Sequence, residues 1–79
     1  MTNIEKLNDI FIEVFNVEVS VLNDNFGKNS VENWDSIHQL SLTSFIEEEF
    51  DIMLDAEDIL ECISYNNAKV ILAKYGIKF

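Results

Sequence analysis

At 79 residues the chain is long enough for one small domain, residues 1–79, and too short for a second. Fifteen acidic side chains against five lysines and no arginine give a formal charge of −10, a balance that repels phosphate backbones and anionic lipid surfaces. Hydrophobic residues make up 48% of it, with six phenylalanines, which argues for a folded chain. So short a chain buries only a modest core and leaves little room for an enclosed catalytic site. A binding or carrier module is expected rather than an enzyme.

The first element is announced by a capping box, Thr2-Asn3-Ile4-Glu5, in which a hydroxyl and a carboxylate satisfy each other's unpaired amides. Ile4, Leu7, Ile10, Phe11, Val14 and Phe15 then recur at steps of three and four, the apolar stripe of an amphipathic helix. Residues 17 to about 34 are less regular. Val17, Val19 and Val21 alternate as in a strand, but no second strand of matching pattern is present to pair with them. The stretch therefore reads as a long loop, with Asn23-Asp24-Asn25, Gly27 and Asn29-Ser30 as turn residues and Phe26, Val31 and Trp34 pinning it to the helices.

A second helix is expected from Asp35-Ser36 to about Phe50, and a short third from Asp55, its cap, to about Cys62. Glu57 and Asp58 suit the positive end of that third helix. Ser64 caps the last helix, whose Ala68, Ile71, Leu72 and Tyr75 share a stripe, and Gly76 ends it. The sum is an all-α, small four-helix bundle of three longer helices and one short one, with a long first loop.

On a helical wheel of residues 36–50, Leu42, Phe45, Ile46 and Phe50 share the expected core arc. Ser36, Ile37, Leu40, Ser41, Ser44, Glu47 and Glu48 fall opposite. Spacing alone leaves two readings of Ile37 and Leu40: a docking patch rimmed by carboxylates, or a helix buried on two sides. Asp35 and Ser36 likewise admit a plain capping role; with Asp35 as the cap, the Ser36 hydroxyl is free to face outward. His38 lies two residues and about 200° from Ser36, so an Asp35-Ser36-His38 triad is not expected, and His38 reads as a solvated surface residue. The single cysteine, Cys62, rules out an internal disulfide and reads as a small buried hydrophobe. The acidic runs 47–51 and 55–58 offer no loop of alternating ligands around a central glycine, so no metal site is assigned.

Trp34-Asp35-Ser36-Ile37, running on through Leu40, Leu42 and Ile46 to Glu47-Glu48-Glu49-Phe50-Asp51, resembles the acyl carrier proteins. The length, acidity, long first loop and helix pattern extend the resemblance over nearly the whole chain. It implies 4′-phosphopantetheine joined to Ser36 from coenzyme A, Asp35 as part of the motif, and a prosthetic thiol that holds acyl or aminoacyl groups as thioesters. No catalytic residue is implied. It further implies docking through Ile37, Leu40, Ser41, Ser44, Glu47 and Glu48, and an acyl pocket at Leu42, Ile46, Leu54, Ile59, Cys62 and Ala68. The implied partners are a phosphopantetheinyl transferase and acyl-transferring, ligating or condensing enzymes with basic docking surfaces.

The chain departs from carriers of central fatty-acid synthesis at His38 and Ser41, where those carry acids, at Asp55, where they tend to have proline, and at Ile59, where they have a small residue. Trp34 suits carriers of specialised pathways. The expectation is a monomeric, cytoplasmic carrier of a specialised pathway, with no nucleic acid and no membrane insertion. A housekeeping fatty-acid carrier and an unmodified acidic helical adaptor are the alternatives.

Overall fold

The computed structural model describes residues 1–32 and 34–79; Asn33, which the sequence assigns to the first loop, lies outside the described residues. Among these the chain forms four α-helices, α1 Asn3–Phe15, α2 Ser36–Phe50, α3 Ala56–Glu61 and α4 Tyr65–Lys74. The architecture is the all-α bundle expected, three longer helices and one short.

The helix ends follow from individual residues. Thr2 and Glu5 form the reciprocal capping box of α1. Asp35 caps α2 by accepting from the His38 amide, and Ser64 caps α4 by accepting from the Asn67 amide at 2.9 Å. Both α1 and α2 stop at a polar residue in the left-handed region, Asn16 at φ 54° and Asp51 at φ 53°. Asn and Asp tolerate that region better than most side chains, and each returns its amide to the preceding turn. Gly76, at φ 87°, ends α4. Asp55 stands at the N-cap of α3, but its side chain makes no capping hydrogen bond, a departure from the role expected of it.

The valine alternation in the first loop resolves as a single 3₁₀ turn, Val19–Val21, with Val19 and Val21 exposed. The loop is held by Phe26 and Trp34, both buried, while Val31 packs half-buried on the core. Those two rings join Phe11, Phe15 and Tyr65 in an aromatic cluster. Phe11, fully buried, meets Phe26 and Tyr65 edge-on at 5.9 and 5.4 Å, and Phe15 stacks on Trp34 at 4.3 Å. Leu7, Leu42, Ile46, Ile71 and Leu72 are among the aliphatic residues packed around this cluster in the core.

Phe45 is not part of it. Its side chain is 42% exposed beside α1, near Lys6 and Ile10, and Thr43 occupies the buried position instead. Thr43 can be buried because its hydroxyl donates back to the Gln39 and Leu40 carbonyls, at 3.1 and 3.2 Å. Apolar residues stand on both sides of α2, so the wheel could not separate Phe45 from the true core arc.

One acid of the 55–58 run is also buried. Asp58, 4% exposed, accepts from Lys74 Nζ at 2.5 Å and from the Tyr75 hydroxyl at 2.6 Å, fastening α3 to the end of α4. The Lys74 and Tyr75 hydrogen bonds hold its carboxyl below the usual range, and the same Asp58 contact raises Lys74. A lowered carboxylate stabilises the fold above its unfolded value, about 4, and that support goes as pH falls through the lower folded value. The raised lysine acts at the other end: its support is complete below about 10.4 and is lost as pH rises through the higher folded value. Asp58→Asn should therefore lower the melting temperature at pH 7 more than Asp9→Asn, at an exposed position of α1, and flatten the loss of stability below about pH 4. An acid limb that superimposes on the wild type would show that this contact is not what acid breaks.

Candidate functional site

The start of α2 gathers Trp34, Asp35, Ser36, Ile37 and His38 from the residues singled out by the sequence. Trp34 is locked in the aromatic cluster, and its indole N–H donates to Gln39 Oε1. That buries the residue just before the cap and fixes where the helix starts. Asp35 then takes an extended conformation, φ −105° and ψ −172°, and its Oδ1 accepts from the His38 amide at 2.9 Å. Because Asp35 makes the cap, the Ser36 hydroxyl is left out of it, on an exposed residue.

His38 departs from expectation. Its Nδ1 lies 2.8 Å from Asp35 Oδ1, a contact that requires a proton on that nitrogen, and its ring stacks at 6.0 Å over Phe15. The side chain is 31% exposed, so it braces the cap rather than standing in solvent. The wheel places it away from Ser36, and the structure does too; what spacing could not show was that Asp35 folds back across the turn to meet it. The His38 amide first, and then its ring, hold the Asp35 carboxyl below its ordinary range.

Beyond Ser36 the exposed face of α2 carries Ile37, 73% exposed, and Leu40, 58% exposed. Of the two readings left open by spacing, the second buried side is excluded. Ser44 and Glu48 are exposed on this face and Ser41 is half-buried. Glu47 is committed elsewhere: its Oε2 accepts from the Leu54 amide at 2.8 Å, bracing the link from α2 to α3. A lysine at 47 would break that brace, so Glu48 is the cleaner probe of charge on this face.

The six positions assigned to an acyl pocket lie on α2, the α2–α3 link, α3 with its C-cap, and α4. Leu42, Ile46, Leu54, Cys62 and Ala68 are buried, and Ile59 packs half-buried on them. Burial first, and the nearby Asp58 charge second, push the Cys62 thiol up to about 12, so it is neutral and unreactive at physiological pH.

A surface groove of about 320 Å³ opens beside Ser36, lined by Lys28, Trp34, Asp35, Ser36, Gln39, Leu60 and Ile63. Four of these, Lys28, Gln39, Leu60 and Ile63, were missed by the sequence reading. Gln39 Nε2 donates to the Ile59 and Cys62 carbonyls, each at 2.7 Å, so one side chain joins Trp34, α2 and the end of α3. Its partners lie 20 and 23 residues away, beyond any local pattern. Leu60, 75% exposed, and Ile63, 42% exposed, form the apolar wall.

Lys28 reaches the groove because the first loop is clipped to the α3–α4 connection. The Lys28 amide donates to the Ile63 carbonyl and the Tyr65 amide to the Phe26 carbonyl, both at 2.9 Å, around an antiparallel bridge of Gly27 with Ser64. A Cβ at position 27 would meet the Ile63 carbonyl oxygen and Ser64 Cβ at 3.1 Å, so glycine is what permits the approach. The available signal was that Lys28 is the one basic residue between Lys6 and Lys69.

The place offers an exposed hydroxyl not spent on capping, a groove beside it with one lysine, and an apolar wall. Asp35 is the one carboxylate among the lining residues. No family model, curated protein or solved structure matches the chain. Among the described residues no group of His, Cys, Asp or Glu is placed to hold a metal ion, and no helix is long and apolar enough to cross a membrane.

Proposed function

We propose that the protein is an acyl carrier protein, modified on Ser36 and without catalytic residues of its own. The observation that carries the reading is the start of α2. There Asp35 takes over the cap and leaves an exposed serine hydroxyl at the head of a helix face with Ile37 and Leu40 in solvent. In the modification the Ser36 oxygen bonds to the pantetheine-side phosphorus of coenzyme A. The bond from that phosphorus to the bridging oxygen breaks, adenosine 3′,5′-bisphosphate leaves with the electron pair, and the hydroxyl proton passes to solvent. Once attached, the prosthetic thiol holds acyl or aminoacyl groups as thioesters on an arm that raises their concentration at each enzyme visited.

Ser36, Ile37 and Leu40 supply the contact surface for those enzymes, and Glu48 steers association with basic-rimmed partners. The half-buried Ile59 and the closed packing of Leu42, Ile46, Cys62 and Ala68 support short or polar cargo, and with it a specialised pathway over housekeeping fatty-acid synthesis.

Incubation with coenzyme A and a promiscuous phosphopantetheinyl transferase should add the mass of one pantetheine phosphate to the wild type and nothing to Ser36→Ala. A wild type that gains no mass would leave the face of Ile37 and Leu40 as the surface of an unmodified adaptor.

A further inference from the structure

We propose that Lys28 is the counter-charge of the phosphate carried on Ser36, a positioning residue that holds the modified serine against the groove; this rests on the carrier reading. The argument begins with charge. In a chain of −10, with the Asp35 carboxylate adjoining Ser36, a further anion at that hydroxyl meets repulsion unless a cation stands near it. Of the lysines, Lys28 alone lines the groove. Lys74 is held by Asp58, Lys69 pairs with Asp24 at 3.7 Å and sits over the Tyr65 ring, and Lys6 sits over the Phe50 ring.

The placement of Lys28 is built into the backbone. Its amide is bonded to Ile63, which itself lines the groove, and Gly27 supplies the close approach that the bond needs. The loop thus carries a cation across to the α2 start, where no other basic side chain lines the groove. Asp35, the carboxylate in the groove, has its Oδ1 engaged by the His38 amide and ring, and Lys28 forms no ion pair with it.

The test follows the Lys28 side chain by NMR, through its Cε shift across a pH titration, in unmodified protein and in protein modified from coenzyme A. The titration of Lys28 should move up by about 0.5 unit on modification, the size of an exposed ion pair. The shift should shrink at high salt, and Lys78 should not move. In parallel, Lys28→Glu should slow modification by several-fold at low salt, while Lys28→Arg retains the wild-type rate. Full modification on Ser36 with an unmoved Lys28 titration would overturn this assignment and leave the carrier reading intact. Absence of modification in the wild type would overturn both.

Discussion

Phe11→Ala is expected to lose most of the stability of the fold. The ring is fully buried, lies edge-on to Phe26, Trp34 and Tyr65, and tilts against Phe15 at 5.9 Å. Truncating a buried phenylalanine costs about 3–5 kcal/mol in lost transfer energy and cavity. A domain of this length has about 4–12 kcal/mol in total, so one side chain represents a large share of the margin. The cost also propagates along the chain. Phe26 and Trp34 hold the first loop and the start of α2, so a void between them loosens the segment that carries Lys28 and Ser36. Urea unfolding followed by circular dichroism should show a midpoint several molar lower, or a chain unfolded in buffer. A midpoint within about 1 M of the wild type would mean that the remaining four rings close over the gap.

Gln39→Ala is expected to cost less, about 1–3 kcal/mol, but to act on one place. It strips the buried Trp34 indole of its acceptor and the Ile59 and Cys62 carbonyls of their donor. The α3 helix has only six residues, too few to hold its shape without packing, so this brace and the Asp58 contact to α4 decide where it sits. Amide exchange should quicken throughout α3 while α1 and α4 keep their protection. Gln39→Glu is the sharper case: it keeps an acceptor for Trp34 but turns a carboxylate oxygen toward two carbonyls. It should destabilise at least as much as alanine. Wild-type stability in Gln39→Glu would remove the amide from this role.

The parts of the fold that were legible are those whose cause is local. Thr2 with Glu5, Asp35 and Ser64 mark helix starts by satisfying amides within three residues, and the stripes of α1 and α4 face a single core. Ser36 was legible for the same reason, whereas spacing left the exposure of Ile37 and Leu40 open until the position of the other helices decided it. What was not legible depends on partners far away in sequence or on competition between faces. Phe45 looked like core because α2 carries apolar residues on both sides, yet it is 42% exposed beside α1. Asp58 looked like one acid among many until Lys74 and Tyr75, sixteen and seventeen residues on, closed over it. Glu47 looked like surface charge, yet it serves the backbone of the next connection. His38 looked solvated because spacing measures direction around the helix and says nothing of a cap that folds back.

The lone tryptophan of the chain has its ring in the aromatic cluster and its indole N–H on Gln39, two residues before Ser36. Light emission from this protein can therefore be read from one address. The indole stacks on Phe15, is largely buried, and lines a groove with Ser36 and Lys28. Its colour and intensity register the solvation of the core, the state of the Gln39 amide and the arrival of charge at the neighbouring hydroxyl. The segment that places the serine thus also carries a built-in optical gauge of it, without any label added to the chain.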